Sequence, residues 1–276
     1  MSIASSNLAA QEASSTSQKI TVIYVSNLPN IADTEKGGLA QVSTMVNAAR
    51  TDGTPVLFLH GGDSLAPSTL AAFDKGSHMI DVLNAIEPTA MAVAKREFSN
   101  GADELTLRAN EASFPMLGTN IFDPLTGGNV SGLERSRMTE AGAIKIGIIA
   151  AISPEVMVDY LPDRIQILDP IESTRDEAKR LRAEGADFII TMFDFSNPEI
   201  STLLSDGDVD VAIVNENLGS REVFGETGLL VKIGTEDRAA IVANIEITKS
   251  PSKGNISWTH DVQYTALADV KPDPML

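Results

Sequence analysis

The hydrophobic positions of the chain follow two periods that alternate along most of its length. Short runs of β-branched and apolar residues predict buried strands, and apolar residues three and four positions apart predict helices between them. After Gly228 the pattern predicts strands only. This order favours an α/β domain with a largely parallel core sheet and a second, antiparallel portion. The predicted strands are 20–25, 55–60, 90–94, 116–121, 138–141, 144–152, 188–193, 209–214, 229–233, 240–247 and 256–264; the predicted helices are 37–49, 70–73, 79–86, 104–112, 173–184 and 198–204.

The two ends of the chain have a different composition from the middle. Residues 1–18 are rich in Ser and Ala, so we expect them to be disordered. This stretch lacks the basic and apolar regions of an intact signal peptide. Residues 7–10 fit either the remnant of a cleavage site or an ordinary unstructured N-terminus. We expect one domain over residues 19–265 and a linker-like tail over residues 266–276.

Composition narrows the classes of partner. The chain has 276 residues with 21 Lys+Arg against 38 Asp+Glu, a net charge of −17. Such a surface repels nucleic acid phosphates and anionic lipid, so neither is an expected partner. The sequence contains no run of about 18 apolar residues, and we therefore expect no membrane insertion. It also has no cysteine, which excludes disulfides, thiolate nucleophiles and Cys-ligated zinc. The expected partner is an unknown small molecule or protein.

Few residues outside the strand ends suggest chemistry. The chain has three histidines. His60 and Asp63 could ligate one metal, but the preferred interpretation of His60 is a polar residue at the rim of the sheet. His78, near Asp81, fits a solvated helix face, and His260 lies in a predicted C-terminal strand. Neither a G-x-S-x-G nucleophile elbow nor a phosphate loop of the G-x-x-x-x-G-K type is present.

The turns between the predicted elements carry a family resemblance. Eight segments follow one another in the order seen in metallophosphoesterases of the 5'-nucleotidase (calcineurin-like) type: 20–30 (ITVIYVSNLPN), 37–42 (GGLAQV), 57–64 (LFLHGGDS), 90–101 (AMAVAKREFSNG), 114–121 (FPMLGTNI), 142–154, 187–196 and 210–218. Each segment alone is a weak signal, but five or more in sequence are specific. The resemblance covers residues 19–247 and implies the catalytic domain of that family, with a four-layer α-β-β-α sandwich.

The resemblance also implies a chemistry at the strand ends. In the family, two divalent metals about 3.5–4 Å apart activate a water and clamp the phosphate. Carboxylates, imidazoles and an amide oxygen hold them, on loops at the carboxyl ends of strands. A His–Asp pair beside the metals assists the leaving group. The family's catalytic domain is typically followed by a smaller nucleotide-binding domain, so a further C-terminal domain is possible.

Most of the family's site positions are altered in this chain. Of the metal ligands, the Asp of the Gly-Asp motif is kept as Asp63. The other matching positions hold Asn27 and Pro29 for the first-loop Asp and His, Lys95 for a ligand Asn, Arg96 and Ser99 for the His–Asp pair, Asp194 in the Ser-His loop, and Asn215, Glu216 and Asn217 in the Gly-Gly-His-Ser-His loop. We therefore expect a degenerate metal site with no catalytic residue.

Lys95 and Arg96 stand at two site positions of the family, and their positive charges suggest what replaces the metals. A fixed cation at Lys95 or Arg96 repels a divalent metal and would neutralise Asp63, Asp194 or Glu216. We therefore expect a salt-bridge network in place of the metals, with solvent-facing side chains as the alternative. The polar run 215–219 could bind a small ligand in the old cleft, or form an ordinary turn.

Two functions remain open from the sequence. The first is an inactive member of the fold, without a metal cofactor, that acts as a ligand-sensing or interaction module of a larger exported, periplasmic protein. The second is a phosphoesterase with one divalent metal at Asp63, held together with Asp194, Glu216 or His60. A cytoplasmic location is the alternative to export.

Overall fold

The computed structural model describes residues 15–33, 35–162, 164–216, 223–224, 228–234, 238–250 and 256–276. The strands are β1 Thr16–Val25, β2 Val56–His60, β3 Ala90–Ala92, β4 Met116–Leu117, β5 Ile121–Asp123, β6 Gly128–Asn129, β7 Leu133–Glu134, β8 Ser136–Ala141, β9 Ile144–Ala151, β10 Gln166–Ile167, β11 Phe188–Phe193, β12 Val211–Glu216, β13 Val223–Phe224, β14 Leu229–Gly234, β15 Ala239–Lys249 and β16 Ile256–Ala266. The helices are α1 Leu39–Arg50, α2 Ala71–Asp74, α3 Ser77–Ile86, α4 Ala102–Glu111, α5 Val156–Asp159, α6 Pro170–Ala183 and α7 Ile200–Ser205, with 3₁₀ turns at Lys95–Phe98 and Leu267–Asp269.

Two large sheets face each other. One has the strand order β16-β15-β1-β2-β3-β4-β7 and the other β13-β14-β12-β11-β9-β8, beside a small sheet β10-β5-β6. Strands β1 to β4 are parallel in the first sheet, as are β9, β11, β12 and β14 in the second. The hairpin of β8 and β9 and the antiparallel pair of β15 and β16 match the predicted antiparallel portion.

Three apolar layers separate these elements. Alternate residues such as Ile20 and Val22 of β1 meet Ile190 and Ile213 of the opposite sheet. The other faces are covered by helices: Val46 and Ile80 pack on the first sheet, and a second set around Leu181 packs on the other. The predicted four-layer α-β-β-α sandwich is therefore confirmed.

Two boundary predictions were wrong. Strand β1 begins at Thr16, because Thr16 and Ser17 continue the antiparallel ladder with β15, so residues 16–18 do not belong to a disordered segment. The tail 266–276 is not a free linker. Leu267 is fully buried, the Asp273 N–H donates to the Ala40 carbonyl, and the Asp273 carboxylate accepts from Ser43 on α1.

Helix α6 also begins differently from the prediction, which placed its cap at Ser173 or Thr174. The cap is Asp169, whose carboxylate accepts the Glu172 N–H at 2.8 Å. Pro170 follows as the first helical residue, a position where its missing N–H costs nothing. Ser173 and Thr174 instead lie inside the helix and are buried. No helix of the described residues has both the length and the apolar character needed to cross a membrane.

Candidate functional site

The predicted site residues lie in the loops at the carboxyl ends of the parallel strands. Asn27 follows β1, Asp63 follows β2, Lys95 and Arg96 follow β3, and Asp194 follows β11. Asn215 and Glu216 end β12, and Asn217 lies outside the described residues. Because both sheets place these ends at one edge of the sandwich, the loops form a shared cleft, the usual position of a site in such sheets.

The loops after β1 and β2 are locked together by their backbones. The Asn27 N–H donates to the Gly62 carbonyl at 2.9 Å, and the Gly61 N–H donates to the Val25 carbonyl at 2.7 Å. Asn27 and Asp63 both have left-handed backbones, with φ of 54° and 58°. Such conformations are uncommon outside glycine, and Asn and Asp tolerate them best. The two loops therefore hold both side chains in one defined geometry.

Glu97 organises the loop that carries Asp63. Its carboxylate is buried and accepts four backbone N–H groups, from Asp63 at 2.8 Å, Ser64 at 2.9 Å, Leu65 at 3.2 Å and Ala94 at 3.0 Å. Burial and the charge of Asp63 raise the pKa of Glu97 to about 7, against the effect of these N–H donors. Two N–H groups occupy each oxygen, which leaves no position for a proton, so we assign Glu97 as ionised in this structure.

The sequence analysis did not predict that Glu97 accepts the N–H groups of the Asp63 loop. The signal was available in the spacing of Ala94 and Glu97, since an acid three residues into a turn can reach back to the preceding N–H. Tyr24 and Ser26 were missed for a different reason. Their hydroxyls donate to Asn215 Oδ1 across the two sheets, at 2.8 Å and 3.0 Å, and no local pattern indicates such a long-range contact.

Arg96 joins the loops of the first sheet. Its guanidinium donates to Asn27 Oδ1 at 2.7 Å, and its backbone N–H donates to Asp63 Oδ1 at 2.8 Å. Burial raises the pKa of Asp63, while the Arg96 N–H and the charges of Arg96 and Lys95 oppose that rise. The structure thus brings Asn27, Asp63 and Arg96 into direct contact.

Lys95 has carboxylate partners, but not the predicted ones. Its ammonium lies 2.6 Å from Glu155 and 3.6 Å from Asp159, on the segment that contains α5. Glu216 pairs instead with Lys232 at 2.8 Å and accepts from Ser196. The expected network was therefore wrong in its direct pairings. Lys95 turns towards the rim because the exposed acids of α5 reach it there, and its charge acts on Asp63 and Asp194 at longer range.

The carboxylate of Asp194 is buried and has an incomplete set of partners. Its Oδ1 accepts the Ser153 N–H at 2.8 Å. Burial, together with the charge of Asp63, raises the pKa of Asp194 to about 8. Its Oδ2 and the Asn215 Nδ2 are both buried without a hydrogen-bond partner among the described residues. These two atoms are the buried, unsatisfied hydrogen-bonding groups of the cleft.

The histidines do not complete a metal site. His60 is fully buried rather than at the rim, because its ring closes the β2 turn: Nδ1 accepts the Gly62 N–H at 3.1 Å and Nε2 contacts Ser64 Oγ at 3.2 Å. Burial lowers the pKa of His60 to about 3. The ring of His78 pairs with Asp74 at 2.7 Å, not with solvent alone, and His260 lies on β16 beside Trp258.

The donor set does not fit two divalent metals. The described residues contain no group of three or more His, Asp or Glu side chains arranged to hold a metal ion. The amide oxygen of Asn27 accepts a hydrogen bond from the Arg96 guanidinium, and Ser99 is exposed. Hard cations need several anionic or carbonyl oxygens, and a fixed positive charge among them opposes binding. The described residues of this cleft therefore do not form a two-metal site.

Gly61 makes the closest approach in the cleft and gives a first prediction. A Cβ at this position would lie 2.0 Å from the hydroxyl of Tyr24, which is itself bonded to Asn215. We expect Gly61→Ala to lower the free energy of unfolding by about 1–3 kcal/mol, the usual effect of overpacking. Urea unfolding would measure it. Gly128→Ala is the control, since a Cβ there meets nothing within 4 Å. Equal stability of the two variants would contradict the packing described here.

The two facing sheets with helices on both outer sides form the fold seen in calcineurin-like phosphoesterases. The structure resembles calcineurin-like phosphoesterase YfkN from Bacillus subtilis with a TM-score of 0.76, 17% identity and 93% of both chains covered. It resembles a 5'-nucleotidase precursor from Thermus thermophilus with a TM-score of 0.74 and 18% identity, covering 92% of this chain and 56% of that one. At these identities the likeness shows the fold alone.

One curated protein is also similar to this chain in sequence. Protein 5NUC of Lutzomyia longipalpis is 30% identical over 162 residues, which are 56% of this chain and 28% of that protein. The match thus spans less than a third of that relative's length. No family model matches the chain. The relatives and structural neighbours are 5'-nucleotidases and calcineurin-like phosphoesterases, which confirms the predicted resemblance to that family.

Proposed function

We propose that this domain keeps the phosphoesterase fold without the reaction and uses the strand-end cleft to bind a small ligand or a protein partner. The observation that carries the proposal is the hydrogen bond of 2.7 Å from the Arg96 guanidinium to Asn27 Oδ1. By the family resemblance, these positions belong to the acid–base pair and to a metal ligand. A guanidinium stays charged at all working pH values, so it neither shuttles protons nor ligates a metal.

The remaining groups of the cleft support the same proposal. The Glu97 carboxylate already accepts four backbone N–H groups, and His60 Nδ1 accepts the Gly62 N–H in the turn after β2. Neither group is free to act as a general base. As part of this proposal, we retain an exported location within a larger protein, and we expect no metal requirement for folding.

The alternative is a phosphoesterase that uses one divalent metal at Asp63. The unpartnered Oδ2 of Asp194 favours it, because a carboxylate oxygen in a cleft is a potential metal ligand. His60 cannot serve as the third ligand, since both its ring nitrogens are engaged. Glu216 is held by Lys232 and Ser196. The alternative therefore rests on two carboxylates.

An assay with p-nitrophenyl phosphate and with nucleoside monophosphates, each with added Mn²⁺ and with EDTA, tests the proposal. We expect turnover by the wild-type protein to equal that of the Asp63→Ala variant in every condition. Metal-dependent turnover that is lost in Asp63→Ala would replace the proposal with the one-metal phosphoesterase. Unchanged thermal stability in EDTA is the expected companion result.

A further inference from the structure

The two residues that carry the unpartnered atoms of the cleft lie side by side. The register of β11 and β12 pairs Phe193 with Val214, so Asp194 and Asn215 come next to each other on adjacent strands, about 4.8 Å apart along the sheet. Met192 and Ile213, two residues earlier, both face the core between the sheets. Side chains alternate along a strand, so Asp194 and Asn215 point to that same side, towards Tyr24 and Asp63.

Asn215 is held rigidly while half of its amide stays open. Tyr24 and Ser26 fix Oδ1 by two hydroxyl hydrogen bonds, so Nδ2 carries two N–H donors with no acceptor among the described residues. Asp194 is fixed in the same way, because Ser153 occupies Oδ1 and leaves Oδ2 open. A buried polar atom without a partner is costly, about 1–3 kcal/mol, and a ligand that satisfies it recovers that energy.

The charges around this pair have both signs. The Asp63 carboxylate lies beside Arg96, Lys95 pairs with Glu155 and Asp159, and Glu97 is enclosed by backbone N–H groups. A cation would meet the Arg96 guanidinium, and an anion would meet the carboxylates of Asp63 and Glu97. The electrostatics of the cleft therefore favour a neutral ligand.

We propose that the Asp194–Asn215 pair binds the vicinal diol of a neutral polyhydroxylated molecule. A hydroxyl both donates and accepts, so one hydroxyl accepts from Asn215 Nδ2 while its neighbour bonds Asp194 Oδ2. Asp63, Arg96 and Asp194 are partly exposed as whole residues, whereas Asp194 Oδ2 and Asn215 Nδ2 are buried, so a diol has to pass these side chains to reach the two atoms. This inference names a ligand class for the proposed function and rests on it.

Titration calorimetry in metal-free buffer tests the inference, with methyl β-D-ribofuranoside and its 2-deoxy analogue as the matched probes. The locked furanose ring of the first carries one vicinal diol, and the second has none. We expect the ribofuranoside to bind and the 2-deoxy analogue to bind at least about tenfold more weakly, because a site built to bond a hydroxyl discriminates against its absence. Glycerol, adenosine and 2'-deoxyadenosine form further arms. Binding of the ribofuranoside or glycerol assigns a free polyol, and diol-dependent binding of adenosine alone assigns a nucleoside.

Three variants connect the binding to the pair. Asn215→Asp keeps the acceptor for Tyr24 and Ser26 but removes the Nδ2 donor, and we expect it to abolish binding. Asp194→Ala removes the second contact, with the same expected loss. Asp176→Asn, exposed on α6, is the control and should bind as the wild type does. Circular dichroism confirms folding of each.

Three results would overturn the inference: no heat with any diol, equal binding of methyl β-D-ribofuranoside and its 2-deoxy analogue, or binding that survives both cleft variants. The first result would fit a structure in which one water molecule, and no diol, bridges Asp194 and Asn215. The assay contains neither metal nor phosphate ester. A failure here is therefore distinct from a failure of the proposed function, which would appear as metal-dependent turnover.

Discussion

Replacing Glu97 with alanine is expected to lower the free energy of unfolding by about 3–5 kcal/mol, the range found when a buried charged group with its hydrogen bonds is broken up. The carboxylate accepts four backbone N–H groups, from Asp63, Ser64, Leu65 and Ala94. Without it these donors are buried with no acceptor, and each costs about 1 kcal/mol or more. Urea unfolding followed by circular dichroism measures the loss.

Two further variants make the Glu97 prediction specific. Glu97→Gln keeps the shape but replaces one oxygen with an NH₂ group, which faces two N–H donors, so we expect an intermediate loss of about 2–3 kcal/mol. Glu155→Ala removes an exposed carboxylate from its pair with Lys95 and should cost no more than about 1 kcal/mol. If all three variants were equally stable, Glu97 would not be the organiser of this loop.

The role of Glu97 also bears on how the strand-end loops are held together. By the family resemblance, metals would connect these loops. In this chain the hydrogen bonds of Glu97 and the hydrogen bond from Arg96 to Asn27 connect these loops. Asn27 and Asp63, which lie in the connected loops, have left-handed backbones. The ordering of the loops therefore comes from hydrogen bonds within the chain. We expect it to be independent of added metal.

The sequence predicted the strands and layers well for a physical reason. Strand β9 and helix α6 show strong apolar periodicity, and each lies within a few residues of its predicted range. The boundaries that failed depend on contacts distant in sequence. Thr16 is in a strand because Lys249 pairs with it, and Leu267 is buried because α1 lies against it. Local pattern carries no information on either contact.

The candidate site likewise has features that the sequence predicted and features that it did not predict. The positions of Asp63, Arg96 and Asp194 followed from the order of the strand-end loops, since parallel strands bring those ends together. The pairings of charges did not follow. Lys95 has acids available in several loops, and only the placement of α5 selects Glu155 over Asp63. Long flexible side chains reach many partners, so a sequence limits their pairing weakly.

Substituting Asp194 with asparagine is expected to change how stability depends on pH. Burial raises the pKa of Asp194 from 3.8 to about 8. The folded protein therefore keeps a proton that the unfolded chain loses between these values. Its stability is full below about pH 4 and falls as the pH rises towards 8, by up to about 1.4 kcal/mol per pH unit. Asparagine is neutral throughout and keeps an oxygen for the Ser153 N–H.

Chemical denaturation of the wild type and the Asp194→Asn variant at several pH values between 4 and 8 measures this effect. The two proteins should be similar in stability near pH 4, and the variant should be the more stable one near pH 8. Glu97, whose pKa burial raises to about 7, adds pH dependence to both proteins, so the difference between the two profiles reports Asp194 together with its charge interaction with Glu97. Asp176→Asn removes one exposed carboxylate and is the control. Parallel profiles of the wild type and Asp194→Asn would show that Asp194 is ionised in the folded cleft, where its open Oδ2 would then be the strongest candidate to ligate a metal beside Asp63.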